Sequence, residues 1–195
     1  MTKYFDVVLI HPPSFHDFRK RPILPGPIDR TVPIYTYLFI MFPVGMISMA
    51  SFLEENGVKV RVFNLAEKML VEKGFNVEEF ISNIRSQVYA IGLHWSIHTE
   101  GAIEIARMCK TLHPDSVVVL GGLTATCFAE EIVQKFNFID AIVRGEAENP
   151  LYELIKNLQK YNVIDAFYNT PNLTFRDRDG KIISTEMSNV VNVLD

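Results

Sequence analysis

The chain has 195 residues, a length that favours one domain with an extension. Its hydrophobic fraction of 48% and charged fraction of 22% are ordinary for a globular protein with a buried core. The net charge of −4 removes any electrostatic argument for binding nucleic acid or an anionic membrane surface.

Apolar strands and amphipathic helices alternate along most of the chain. Short runs rich in Val, Ile and Leu predict five strands, at 5–10, 58–63, 88–93, 116–120 and 139–145. Helices are predicted between and after them, at 43–57, 76–87, 98–114, 125–136 and 148–160. Such alternation indicates a parallel sheet with helices on both faces. We therefore predict an α/β fold, a flavodoxin-like (Rossmann-like) doubly wound sheet of five strands in the order 2-1-3-4-5.

The pattern changes after Tyr161. A hairpin is predicted at 172–185, with Asp179-Gly180 at its turn. We therefore expect one domain over 1–161, and over 162–195 a hairpin and a linker that leads towards a further domain.

A long proline-rich loop is predicted at 11–42, over the ligand-binding edge of the sheet. Its end and the next helix form an uncharged stretch, Ile34–Leu53, that is long enough to cross a membrane. Pro43 and Gly45 interrupt this stretch, and the part after Pro43 is typical of a helix packed on a sheet. We therefore predict no membrane span. No signal peptide is visible, and Cys109 and Cys127 lack metal-ligand spacing, so we expect a cytoplasmic protein with reduced thiols.

Ligands of open parallel sheets bind beyond the carboxyl ends of the strands. The segments at those positions are HPPSF, HWSIHT, GGLTAT and RGEAEN. They contain no dinucleotide fingerprint, no P-loop and no acidic receiver pattern, and the prolines supply few amide donors for a flavin phosphate. Residues that offer apolar surface or hydrogen bonds there are Pro12, Pro13, Trp95, Ser96, Thr124 and Thr126. This composition predicts a large, flat and mostly apolar ligand.

Four features in this order resemble the N-terminal cobalamin-binding domain of B12-dependent radical SAM proteins. They are the Pro-Pro pair after strand 1, the Pro43-x-Gly45 helix start, Gly121-Gly122 after strand 4, and Arg-Gly-Glu-x-Glu at 144–148. The resemblance covers Phe5 to Tyr161. It implies a cobalamin with its base off the cobalt, held over the carboxyl edge of the sheet. The nucleotide tail of the cofactor would enter a slot between the sheet and a flanking helix.

The resemblance also assigns roles to residues of this chain. Gly121 and Gly122 would form the slot, while Thr124 and Thr126 would face the tail. The loop after strand 3 would lie near the lower face of the corrin, and the loop after strand 5 would close the far rim. The full set of predicted cofactor contacts is Pro12, Pro13, Trp95, Ser96, Ile97, His98, Thr99, Gly121, Gly122, Leu123, Thr124, Thr126, Gly145 and Glu146.

The chain also lacks some motifs of this family and of other cobalamin-binding proteins. It lacks the Asp-x-His-x-x-Gly motif whose histidine replaces the base on cobalt in other cobalamin proteins, which leaves His94 or His98 as a minor alternative ligand. Thr124 stands where relatives often carry His, and Ala147 where they often carry Gly. No Cys-x-x-x-Cys-x-x-Cys is present, so the chain cannot bind a [4Fe–4S] cluster through three thiolates. We therefore predict a non-catalytic cofactor-binding fragment, whose partner would be a radical SAM domain on its C-terminal side that binds the [4Fe–4S] cluster and S-adenosylmethionine.

Two alternatives remain open at this point. One is a vestigial domain of the same shape that serves in docking and binds no corrinoid; the other is an α/β domain for another nucleotide-like ligand. At the level of single residues, Gly121-Gly122 would then serve only a tight turn, and Trp95 a core or interface contact. Glu146 and Glu148 would be first-turn acids that complement a helix dipole.

Overall fold

The computed structural model describes residues 4–17, residue 19 and residues 44–188. Its centre is a seven-stranded sheet in the order β2-β1-β3-β4-β5-β6-β7. The strands are β1 Tyr4–His11, β2 Val60–Asn64, β3 Arg85–Gly92, β4 Val117–Gly121, β5 Ala141–Val143, β6 Leu173–Arg176 and β7 Ile182–Ser184. Strands β1 to β5 are parallel to one another, whereas β6 is antiparallel to β5 and β7 is antiparallel to β6. The predicted α/β class and the 2-1-3-4-5 order are confirmed, whereas the predicted number of strands, five, is too small.

The two additional strands are the predicted hairpin, which continues the sheet instead of standing beside it. β6 pairs with β5, and β7 pairs with β6. An open edge at β5 would leave unpaired N–H and C=O groups, and β6 satisfies them. Phe175 and Leu173 are fully buried on this added strand, so burial favours the same arrangement. The domain boundary predicted at residue 161 remains a prediction.

Helices cover both faces of the sheet. They are α1 Val44–Glu55, α2 Leu65–Val71, α3 Val77–Ser82, α4 Thr99–Leu112, α5 Leu123–Cys127, α6 Ala129–Lys135, α7 Glu148–Leu158 and α8 Val163–Tyr168. Three of them begin at an asparagine whose side-chain oxygen accepts a backbone N–H three residues further on, namely Asn64, Asn76 and Asn162. Pro150 stands in the first turn of α7, where its missing N–H costs nothing.

Each central strand is buried on two sides. Val8 and Ile10 of β1 belong to one apolar cluster, which includes residues of α2 to α6 and is here called the α4 face. Val7 and Leu9 belong to the other cluster, which includes residues of α1, α7 and α8 and is here called the α1 face. Successive strand residues point to opposite faces, which explains why these strands are apolar without alternation.

Some predicted boundaries differ from the structure. The helix predicted at 76–87 ends at Ser82, because Arg85 and Ser86 pair with Tyr4 and Phe5 and so lengthen β3. The helix predicted at 125–136 is two helices, α5 and α6, which meet at Phe128. Helices α2 and α8 were not predicted.

Parts of the predictions lie outside the described residues. These parts are most of the loop at 11–42, the apolar residues 34–43 and the last residues, 189–195. No helix in the described part of the chain is long and apolar enough to cross a membrane. The cytoplasmic location remains a prediction.

Candidate functional site

The carboxyl ends of β1, β3, β4 and β5 lie side by side, because these strands are parallel. Strand order reverses between β1 and β3, so the topological switch point lies next to His11 and Gly92, the last residues of these strands. This crevice is the usual ligand position in doubly wound sheets. The four segments singled out from the sequence therefore meet at one edge.

Two glycines in register leave a strip without side chains at this edge. Gly92 ends β3 and pairs with Gly121, which ends β4. A Cβ on Gly92 would lie 2.4 Å from the terminal methyl of Met46 in α1, so the missing side chain of Gly92 makes room for Met46 on the α1 face. A Cβ on Gly121 would make only ordinary contacts, 3.6 Å from Val143 O and 3.9 Å from Val143 Cβ. We call Gly92 and Gly121 the glycine strip.

Gly122 differs from Gly121, although the two are adjacent in sequence. Its φ of 107° and ψ of 175° belong to a region that is almost restricted to glycine. A Cβ there would lie 2.8 Å from His94 N and 2.9 Å from Leu93 C. Gly122 therefore allows the loop after β4 to touch the backbone of the loop after β3. This contact is a structural reason for Gly122, and its predicted role in the slot remains a prediction.

Helix α5 ties three loops of the edge together. Thr124 donates to His94 O from its backbone N–H at 3.1 Å and from its hydroxyl at 2.9 Å, and Ala125 N–H donates to Leu93 O at 3.1 Å. On the other side, Gly145 N–H donates to the hydroxyl of Thr126 at 3.0 Å. The two threonines thus connect the loop after β4 to the loops after β3 and β5. In this structure their hydroxyls hold the rim of the site in a fixed geometry.

Large apolar side chains are exposed on the same loops. Trp95, after β3, is 40% exposed, and Leu123, after β4, is 60% exposed. Other exposed predicted contacts are Ser96, Thr99, Gly145 and Glu146; partly buried ones are Ile97, Gly121, Gly122, Thr124 and Thr126; buried ones are Pro12, Pro13 and His98. Exposed Trp and Leu beside a ligand edge provide apolar contact surface that water solvates poorly.

The loop after β1 packs against the beginning of α4. Pro13 O approaches Gly101 so closely that a Cβ on Gly101 would overlap it. Gly101 N–H donates to Ser14 O at 3.2 Å, and His16 N–H donates to Glu100 Oε2 at 2.6 Å. Because Pro12 and Pro13 are buried here, their predicted contact with a ligand remains a prediction.

Two buried histidines meet at the switch point. The rings of His11 and His98 are 5.0 Å apart between centroids and packed edge to face. Their exposed fractions are 6% and 5%. Burial, together with the nearby His98, lowers the pKa of His11 to about 4, so His11 is uncharged at neutral pH. His11 Nε2 is buried without a hydrogen-bond partner in the part of the chain that the structure describes.

The loop after β5 is held by the added hairpin. Arg144 Nη2 donates to the carbonyl oxygens of Leu173 and Thr185, and burial lowers the pKa of this guanidinium. Asn172 Nδ2 donates to Arg144 O at 3.0 Å, and its Oδ1 accepts from Ser188 N–H at 2.6 Å. The arginine of the Arg-Gly-Glu pattern thus fastens the sheet extension. The same bonds bring the described chain to the carboxyl edge at Ser188.

The described residues contain no group of three or more His, Cys, Asp or Glu side chains that could bind a metal ion. Both cysteines are free, Cys109 buried and Cys127 exposed. Burial raises the pKa of the Cys109 thiol, which makes it an inert core residue.

Sequence reasoning missed four residues of the edge: His11, Met46, Gly92 and Gly101. A glycine at the end of an apolar strand run was the available signal for Gly92. Nothing local marks Gly101, because its constraint comes from Pro13, which is distant in sequence.

A family profile described as "B12 binding domain" matches residues 30–155, more than half of the chain. The chain belongs to the B12-binding domain family. Cobalamin is the cofactor of this family, and the predicted relationship to cobalamin-binding proteins is confirmed.

Relatives of this B12-binding domain include larger enzymes. It is 31% identical over 94 residues to the anaerobic magnesium-protoporphyrin IX monomethyl ester cyclase of Cereibacter sphaeroides, a match that covers 48% of this chain and 15% of the cyclase. It is 24% identical over 143 residues to the hopanoid C-3 methylase of Methylococcus capsulatus, covering 72% of this chain and 27% of the methylase. This chain thus covers less than a third of either enzyme.

A similar solved structure is TsrM from Kitasatospora setae, a radical S-adenosylmethionine methyltransferase with tryptophan and a SAM analogue bound. The TM-score is 0.64 at 17% identity, over 92% of this chain and 30% of TsrM. At this identity the likeness shows the fold of the B12-binding domain alone.

The residues present fit a cobalamin in three respects. The glycine strip presents bare backbone at the sheet edge, bordered on the α1 face by the flexible side chain of Met46. Trp95 and Leu123 supply exposed apolar surface above the sheet edge. His11 Nε2 is a buried polar atom with unused hydrogen-bonding capacity among the described residues.

Proposed function

We propose that this chain is the cobalamin-binding module of a B12-dependent radical SAM enzyme of the methyltransferase type, and that it holds a base-off corrinoid at the carboxyl edge of the sheet. The observation that carries the proposal is the glycine strip at the switch point, flanked by the exposed Trp95 and Leu123. In this proposal the narrow nucleotide tail lies along the bare backbone of the strip, where the flexible side chain of Met46 gives way, and the exposed side chains offer surface for the flat macrocycle.

When bound, cobalamin supplies the cobalt-centred chemistry of methyl transfer, and the chain supplies binding, orientation and exclusion of water. In this proposal Gly92 and Gly121 admit the tail on the α1 face. Thr124 and Thr126 keep the rim rigid through their bonds to the neighbouring loops. A rigid rim lowers the entropy that binding would otherwise lose.

A radical SAM domain would be the partner of this module. The relatives support this part of the proposal, because the match covers only 30% of TsrM, which is named a radical S-adenosylmethionine methyltransferase. The hairpin brings the described chain to Ser188 at the carboxyl edge, the position from which a following domain could close over the cofactor. In the whole protein that domain would bind S-adenosylmethionine and the [4Fe–4S] cluster, while this module would remain non-catalytic.

The first test is binding. The purified chain is mixed with hydroxocobalamin, free ligand is removed by gel filtration, and the visible spectrum of the protein fraction is recorded. We expect a corrinoid that co-elutes with the protein and has a base-off spectrum. Protein that elutes without corrinoid would refute the proposal and favour the alternative of a docking domain.

A second experiment locates the site. Gly121→Val fills the glycine strip, and its Cβ begins from an unstrained position. We expect it to retain a cooperative melting transition close to that of the wild type but to lose cobalamin binding at least tenfold. Wild-type affinity in a folded Gly121→Val variant would place the cofactor elsewhere.

A further inference from the structure

His11 lies beside the glycine strip in the sheet. Ile10 of β1 pairs with Ile91 of β3, so the next residues, His11 and Gly92, stand at the ends of adjacent strands. Side-chain alternation along β1 would put His11 in line with Leu9, and at the end of the strand its ring packs edge to face against His98, the residue before α4. His11, Gly92 and Gly121 therefore form a row across the switch point, in which only His11 carries a side chain.

His11 also has unused hydrogen-bonding capacity. It is 6% exposed, and its Nε2 has no partner in the described part of the chain. A buried polar atom without a partner costs stability, and a phenylalanine of similar shape would avoid that cost. Such a group in a native structure requires an explanation.

Another buried histidine shows what a structural role looks like in this fold. His113 Nε2 lies 2.8 Å from Ile81 O, and its ring stacks on Tyr89. Its buried ring nitrogen is thus satisfied within the protein, far from the carboxyl edge. His11 has the ring contact with His98 but lacks an equivalent bond at Nε2.

We propose that His11 is a cofactor-binding residue, whose Nε2 hydrogen-bonds the nucleotide tail of cobalamin at the β1 end of the glycine strip. The inference rests on the proposed function, since it assumes that this domain binds cobalamin. An imidazole suits the task because either ring nitrogen can donate or accept, and the tail presents sugar hydroxyls and phosphodiester oxygens. Because the pKa of His11 is lowered to about 4, its imidazole is uncharged at neutral pH and can either donate or accept a hydrogen bond.

The test compares two ligands on two variants of the full chain. Cobinamide lacks the nucleotide tail, whereas cobalamin carries it, and the affinity for each is measured by equilibrium dialysis at pH 7.5. We expect His11→Phe to weaken cobalamin binding about tenfold, as the loss of a hydrogen bond worth about 1.4 kcal/mol would. Cobinamide affinity should not change.

His113→Phe is the matched control. It should bind both ligands like the wild type but should unfold at a lower urea concentration, because Ile81 O loses one of its two partners and retains only the N–H of Ile84. His11→Phe without ligand should be at least as stable as the wild type, since it removes an unpaired buried nitrogen. A purely structural role for His11 predicts the opposite shift in the urea midpoint.

The outcomes separate the two proposals. Equal weakening of both ligands in His11→Phe, or no weakening of either, overturns the role of His11 while the cobalamin function stands. A wild-type chain that binds cobinamide and cobalamin equally well also overturns it, because the tail then contributes nothing. A wild-type chain that binds neither refutes the proposed function itself.

Discussion

Substitution by alanine should affect the stability of the protein very differently at the adjacent glycines Gly121 and Gly122. Gly122→Ala places a methyl group 2.8 Å from His94 N and 2.9 Å from Leu93 C, which are backbone atoms. Gly121→Ala places one 3.6 Å from Val143 O, an ordinary contact. We expect the first substitution to damage the fold and the second to leave it intact.

The magnitude for Gly122→Ala follows from two terms. A φ of 107° with a ψ of 175° costs a residue other than glycine about 1–3 kcal/mol. The backbone contact adds to this cost, because the loop at His94 cannot retreat without weakening its bonds from Thr124 and Ala125. A total of about 3 kcal/mol corresponds to a melting temperature lower by roughly 6–12 °C in a protein of this size.

Gly121→Ala should change stability by less than about 0.5 kcal/mol, which is typical of an unstrained substitution. Its added methyl group nevertheless narrows the glycine strip, so cobalamin affinity should fall. Both variants are melted under circular dichroism, and Gly121→Ala is then titrated with hydroxocobalamin. A Gly122→Ala variant that melts within about 2 °C of the wild type would refute this reasoning. So would equal losses of stability at the two positions.

Two further predictions concern the loop after β1. Gly101→Ala should lower the melting temperature, because its methyl group would overlap Pro13 O and break the bond to Ser14. Gly45→Ala is the control and should not lower it, because among the described residues its new Cβ would meet no atom within 4 Å outside its chain neighbours and the backbone of its own helix. The second prediction is a pH dependence of stability from His11, whose pKa falls from 6.5 to about 4 in the fold. The unfolded chain binds the proton first, so stability should decrease as the pH falls from about 6.5 to about 4, by about 3 kcal/mol from this group. As the pH falls through that interval, the urea midpoint of the wild type should therefore decrease more than that of His11→Phe. If the two midpoints change in parallel with pH, the lowered pKa of His11 is contradicted.

Much of the fold could be predicted because the signals are local. Apolar runs such as Val117–Leu120 identify strands, and the helices between them imply parallel crossovers. Five such strands favour the 2-1-3-4-5 order of flavodoxin-like sheets, which the structure has. The end of the 76–87 helix could not be predicted from its own residues. The helix ends before Arg85 because Arg85 pairs with Tyr4 in the sheet, and this pairing joins distant parts of the chain.

The candidate site likewise combines features that the sequence predicts with features that only the folded structure shows. The sequence by itself determined which loops meet at the carboxyl edge, and it marked Gly121-Gly122 as a place where something approaches the backbone. Only the tertiary structure separated the two glycines, because strand register sets Gly121 beside Gly92 and loop contact sets Gly122 against His94. Register and close approach arise from pairing across the sheet, and no pattern within a few residues encodes them. For the same reason His11 became visible only in the folded chain, where burial leaves its Nε2 without a partner among the described residues.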